Sequence, residues 1–208
     1  IPVIAGTGSN STAEALQLTV FAEKSGCDGA LIITPYYNKP TQNGLYNHYK
    51  EIAEHVDIPI ILYNVPSRTG ISILPETVAK LSEMKNIVGI KEASGSLDQV
   101  SKIISLCSDN FDVLSGDDSL TLPIMSVGGK GVISVAANIM PAQVKDMVQS
   151  MLSNNWDHAR KIHIQLFNIF KALFIETNPI PVKTCLFLMK MINLELRLPL
   201  TPPSEENK

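Results

Sequence analysis

The sequence predicts an α/β protein built on a parallel sheet, and two observations carry that prediction. Short runs rich in Ile and Val recur along the first three quarters of the 208 residues, apolar at nearly every position rather than at alternate ones. That is the pattern of strands covered on both faces. Longer segments of helical spacing lie between them, and such alternation implies parallel pairing through right-handed crossovers. Periodicity alone does not separate an open doubly wound sheet from a closed (β/α) barrel.

Six runs read as strands: 2–5, 30–34, 59–64, 87–91, 113–115 and 132–135. After the first, Ser11 and Glu14 stand three apart, the spacing of a capping box, and open a helix that reaches about Ser25 before Gly26 stops it. Further helices are predicted at 45–55, 75–84, 97–107, 120–127 and 141–152. The rhythm ends near Asn154. From Trp156 the chain reads as helical, one helix to about Ile175 and another from Val182 to about Leu194, separated by "TNPIP", whose prolines cannot lie inside a continuous helix. Residues 1–154 are therefore expected to form the α/β body and 155–208 a helical region.

Six strands fall short of the eight of the usual barrel. Ile1 opens inside an apolar run, and Ser204 with its acidic followers is a helix-start signal at the other end. Two βα units ahead of Ile1 and a helix beyond Lys208 are the corresponding expectation. These residues on their own would then leave strand edges open and aggregate or stay inactive.

A net charge of −3, with 45% hydrophobic and 18% charged residues, describes a soluble globular chain without a basic field, so neither nucleic acid nor an anionic membrane is an expected partner. The apolar stretch around 162–175 is interrupted by Gln165, Asn168 and Lys171, and no segment reads as a membrane span or a secretory signal. Cys27, Cys107 and Cys185 are odd in number and widely spaced, which fits core residues in a reducing, cytoplasmic compartment.

In either parallel architecture, functional side chains gather at the carboxyl ends of strands. "GTGS" lacks the third glycine of a dinucleotide fingerprint, Ser11 standing in its place, and "VGGKG" precedes a strand rather than following one. The four histidines lie in predicted helices, and Asp117 with Asp118 reads as a helix cap, so no metal is expected. Lys91, by contrast, ends a β-branched run, where burial of its charge would be costly. It alternates onto the face of Gly89, whose small size leaves room for the amine, and the preceding strand ends in Tyr63. Lysine attacks carbonyls when neutral, a nearby phenol can carry the protons released, and a planar arginine such as Arg68 suits a carboxylate. The trio describes a Schiff-base lyase or aldolase acting on keto acids.

At "IPVIAGTGSN", "TPYYNKP", "ILYNVPSRTG", "GIKEASG", "LSGDD", "GVISVAAN", "NPIPVK" and "LRLPLTP" the sequence resembles the dihydrodipicolinate synthase family, within the pyruvate-dependent class I aldolases that include N-acetylneuraminate lyase. The resemblance covers nearly the whole chain. It implies a (β/α)8 barrel with a C-terminal helical region, condensing pyruvate with aspartate semialdehyde in lysine and diaminopimelate biosynthesis, with no cofactor. By position it implies the imine at Lys91, proton relay at Tyr63, and semialdehyde carboxylate binding at Arg68. It further implies pyruvate contact at Ile133 and Gly116, and a hydroxyl from Tyr37 reaching a neighbouring subunit's site. Homotetramers are common in the family, as is feedback inhibition by lysine, for which Asn10, Glu14 and Tyr36 match contact positions. A neuraminate or keto-deoxy-sugar aldolase would share Lys91 and Tyr63 without needing Arg68, and a non-catalytic pyruvate- or lysine-binding barrel would show no turnover.

Overall fold

The structure is a computed structural model, and it describes residues 1–207. Six strands form one sheet in sequential order: β1 (Ile4–Gly6), β2 (Gly29–Ile33), β3 (Ile60–Asn64), β4 (Ile87–Glu92), β5 (Asp112–Ser115) and β6 (Gly131–Val132). The pairings from β1 through β5 are all parallel. Sequential parallel order means that each crossover returns to the adjacent position, as in a (β/α) barrel and unlike a doubly wound sheet.

The chain packs as two compact units, residues 1–116 with 123–131, and residues 117–122 with 132–208. The first unit carries α1 (Thr12–Lys24), α2 (Gln42–Ala53), α3 (Pro66–Thr69), α4 (Pro75–Leu81) and α5 (Leu97–Leu106) between its strands. Its core is the helix-facing side of the sheet, where Ile32, Leu62 and Ile90 are completely buried, along with Leu45, Ile52, Leu81 and Ile103 of the helices. The short helix α6 (Thr121–Ser126) follows β5. The second unit contains α7 (Pro141–Leu152), α8 (Trp156–Ala172) and α9 (Ile180–Leu188), with Met147, Leu166, Phe170 and Leu173 buried in it. Helix α9 starts two residues before the expected Val182, because Pro181 falls in its first turn, where a missing N–H costs nothing. It also stops well short of Leu194, ending at Leu188.

The capping box on α1 forms in an altered way. Ser11 Oγ accepts from the Glu14 amide at 3.4 Å, but the Glu14 carboxylate takes the hydroxyl of Ser9, and Ser9 Oγ in turn accepts the Ser11 N–H at 3.2 Å. Ser9 and Ser11 thus satisfy the amides of Ser11 and Glu14 at the helix start, and Glu14 holds Ser9 in place.

Two further features position the strand ends. The β3–β4 register advances by one residue between Ile60 and Ile61, with Ile60 opposite Ile87 and Ile61 opposite Gly89, so Val88 is an extra residue in β4. Such a bulge re-aims every side chain beyond it. At Gly89 a Cβ would fall 2.5 Å from the Asp112 carbonyl oxygen. The glycine is therefore required by close approach of the β5 backbone, rather than by the space beneath an amine that the sequence suggested.

Among the described residues no helix is long and apolar enough to cross a membrane, and no three His, Cys, Asp or Glu side chains are grouped to hold a metal ion. The three cysteines are free and half-buried. His48 of α2 is buried; its Nδ1 lies 2.9 Å from Thr12 Oγ1, and its Nε2 has no partner. Burial lowers its pKa from 6.5 to about 4. The folded state therefore binds fewer protons than the unfolded one, and this contribution to stability is complete above about pH 6.5 and lost as the pH falls towards 4. Denaturant unfolding measured across that window should show a decline that His48→Gln makes shallower.

Candidate active site

Beyond the bulge, Tyr63 lies opposite Lys91 and Asn64 opposite Glu92. Successive residues on a strand point to opposite faces, so Tyr63 and Lys91 share one face while Asn64 and Glu92 share the helix-facing one. Lys91 Nζ lies 4.0 Å from the centroid of the Tyr63 ring. An ammonium at that distance is attracted by the negative face of the ring. Both side chains are half-buried. Burial pushes the Tyr63 phenol above its usual pKa of 10, and the guanidinium of Arg68 pulls it partly back. The phenol therefore keeps its proton in the physiological range and begins as a donor.

Arg68 is exposed and lies on α3, a single turn with Pro66 at its start and Gly70, at φ 74°, closing it. Four residues are too few for periodicity to mark an element here, although a proline just inside the start and a glycine just past the end are helix signals. The turn follows β3 by one residue, so Arg68 is held near the carboxyl end of the strand that carries Tyr63.

Gly116 directly follows β5, and its amide donates to the Glu92 carbonyl at 2.8 Å. A Cβ at this position would meet Ala93 Cβ at 2.6 Å and Lys91 Cε at 3.2 Å. Ile133 follows β6 in the second unit. In that unit Asp118 is buried and accepts from the Ser134 hydroxyl and from the amides of Val135 and Ala136 at 2.9 and 3.0 Å. Asp117 alone acts as the cap foreseen for the pair, accepting from the Ser119 amide at 2.8 Å. Asp118 instead fixes the segment just after Ile133.

Tyr36 and Tyr37 lie in the loop after β2. Tyr37 is 85% exposed and has a φ of 73°, a left-handed conformation that bulky residues rarely adopt. Asn38 donates to the Asn10 carbonyl at 2.9 Å, which ties this loop to the one after β1. Asn10 is half-buried, Glu14 is held by Ser9, and Tyr36 is 41% exposed.

The residue that the sequence analysis passed over is Glu92. It is 1% exposed on the helix-facing side, with Asn64 and Gln99 donating to it. A period of two counted from Lys91 places it there, but its partners come from elements distant in sequence.

A family model for the dihydrodipicolinate synthetase family matches residues 1–208. The chain belongs to this family. The 4-hydroxy-tetrahydrodipicolinate synthase of Geobacter sulfurreducens is 59% identical over 208 residues, spanning all of this chain and 72% of that protein. Among solved structures, dihydrodipicolinate synthase from Aquifex aeolicus superposes with a TM-score of 0.98 at 55% identity, covering all of this chain and 71% of that one. The enzyme from Cyanidioschyzon merolae, solved with lysine bound, matches at 0.97 and 44% identity over 99% of this chain and 70% of that one. The fold is accordingly the (β/α) barrel of the dihydrodipicolinate synthases, and the activity is that of a 4-hydroxy-tetrahydrodipicolinate synthase, a lyase using pyruvate and aspartate semialdehyde.

The contact at Gly116 yields a direct test. Gly116→Ala should displace Ala93 or Lys91; with Lys91 as the reacting amine that we propose below, kcat should fall by about tenfold or more, since misplacing a reacting group by an ångström costs up to about a hundredfold. Steady-state kinetics alongside a melting curve check it; unchanged kcat would mean that the strand end yields without moving the amine.

Proposed function

We propose that Lys91 forms the imine with pyruvate and that Tyr63 moves the protons of that step. The observation that carries this reading is the in-register pair, an amine 4.0 Å from the centre of a phenol ring at the carboxyl ends of adjacent parallel strands. The neutral amine attacks the keto carbon to give a carbinolamine, whose hydroxyl receives a proton and leaves as water as the nitrogen lone pair closes the imine. The protonated state of the Tyr63 phenol equips it to give that proton. Loss of a methyl proton from the imine makes an enamine, whose carbon then attacks the aldehyde carbon of the semialdehyde. The semialdehyde's amino group finally displaces Lys91 from the imine carbon, closing the ring and returning the free amine.

Arg68 takes the carboxylate of the semialdehyde in this reading, supported by its exposed fork one short turn beyond Tyr63. Gly116, directly after β5, borders the pyruvate. Tyr37 completes the hydroxyl relay in the site of a neighbouring copy within a homotetramer, a role compatible with a ring exposed to 85% on this chain. Lysine binds as feedback inhibitor at Asn10, Glu14 and Tyr36, which lie on two loops joined by the Asn38 to Asn10 hydrogen bond. The reaction runs in the cytoplasm and uses no cofactor, pyruvate itself being the group bound covalently.

Borohydride reduction of the complete protein with pyruvate, followed by peptide mass mapping, should place the adduct on the peptide containing Lys91. An adduct on another lysine, or none, overturns the reading. Arg68→Ala should raise the KM for the semialdehyde by about tenfold or more while leaving pyruvate trapping largely intact, as expected for a contact made only to the second substrate. Equal losses in both would contradict its assignment.

A further inference from the structure

The face of β3 and β4 opposite the amine holds a buried carboxylate that the reaction does not use. Glu92 is 1% exposed and Asn64 fully buried, and the two are cross-strand partners one residue beyond Lys91 and Tyr63. Asn64 Nδ2 donates to both carboxylate oxygens, at 3.2 and 3.0 Å. The Ser94 amide donates to Oε1 at 2.6 Å, and Gln99 Nε2 to Oε2 at 2.9 Å. On its other side Asn64 Oδ1 accepts the Ile73 amide at 3.1 Å, and Ser72 Oγ lies within reach of both Asn64 and Gln99.

A buried carboxylate is costly unless its acceptor sites are filled. Here the donors that fill them come from β3, from the turn after β4 and from the first turn of α5, while Asn64 adds the segment beyond α3. The strands so joined carry Tyr63 and Lys91. The bulge at Val88 makes such a lock necessary, because regular pairing beyond Ile60 would set Lys91 opposite Asn64, on the helix-facing side. An acceptor-only group at position 92, met by donors alone, satisfies its partners only in the bulged register.

We propose that Glu92 is the positioning residue of the Lys91–Tyr63 pair, its carboxylate holding the ends of β3 and β4 in the register that sets amine against phenol. The inference rests on the reading of Lys91 and Tyr63 given above. Glu92 touches no substrate. Its effect should therefore fall on the rate of steps shared by the two groups and not on how well pyruvate is held.

Glu92→Gln keeps the shape but turns an N–H2 towards the surrounding donors. In the complete protein kcat should fall about tenfold or more, with the KM for pyruvate changed by less than about threefold, as for loss of reacting geometry rather than of uniform binding. Adding Gln99→Glu restores a donor–acceptor pair between positions 92 and 99 and should recover part of the lost kcat. Val113→Ala, in the buried core of the adjacent β5, supplies a destabilised control that should keep kcat within about twofold. The proposal is overturned if Glu92→Gln retains kcat, if the control loses it equally at a matched melting temperature, or if the swap restores stability without rate. Should Glu92→Gln not fold, Gln99→Met removes one of the donors to Glu92, together with the weaker contacts of Gln99 to Ser72 and Ile73; a loss in kcat of about threefold at constant KM supports the proposal, and no loss overturns it. Borohydride trapping on the unsubstituted protein separates the two readings: no adduct on Lys91 removes the imine, whereas an adduct with an insensitive Glu92→Gln removes this inference alone.

Discussion

One extra residue in a strand decides which faces of the sheet Lys91 and Glu92 take. Counting from Ile60 opposite Ile87, an uninterrupted parallel ladder would pair Tyr63 with Ile90 and Asn64 with Lys91. The amine would then lie among the helix-facing side chains, where Ile32 and Leu62 leave no exposed surface and no water to solvate a charge. The bulge at Val88 turns the last four residues of β4 by one step of the pleat. It brings Lys91 onto the face of Tyr63 and exchanges it for Glu92, which the helix-facing layer can satisfy with amide donors. One local irregularity thus solves two problems, placing a cation against a ring and a carboxylate against donors.

The electrostatics of the pair follow from that arrangement. Removing the phenol from water favours its neutral form, and the arginine one turn beyond opposes this only in part. A phenol that keeps its proton can donate to a departing hydroxyl and take the proton back, and it offers Lys91 an electron-rich ring rather than a fixed negative charge. An ionised tyrosine at the same place would hold the amine as a tight ammonium and withhold the lone pair that attack on a carbonyl requires.

Much of this was legible in the sequence because strands and their ends are written in local pattern. The runs ending at Asn64 and Lys91 fix where chemistry can emerge, and parallel alternation makes Tyr63 and Lys91 neighbours at one end of the sheet. What was not legible depends on partners far apart in the chain. Val88 reads as an ordinary β-branched strand residue, and nothing local marks it as the one left over. Gly89 reads as a gap beneath the amine, yet it answers to the Asp112 carbonyl of the next strand. Glu92 carries no local signal and Asp118 reads as half of a helix cap, yet each is buried by contacts that only the fold assembles. The α3 turn was a different omission: its Pro and Gly signals are local, and a four-residue element is simply too short for periodicity to reveal.

The groups assigned to chemistry and those assigned to recognition rest on different kinds of support. Lys91 and Tyr63 stand on strands whose backbones are paired on both sides, so their separation is set by the ladder and varies little. Arg68 stands on one isolated helical turn. Positions of the second kind can change during divergence without disturbing the sheet, because loops tolerate substitution that ladders do not. In the proposed reading, the imine chemistry is thereby tied to strands paired on both sides, and the choice of second substrate to a short turn. A change of specificity within such a scaffold should arise at Arg68 and its turn while the bulge, the amine and the buried carboxylate behind it remain in place.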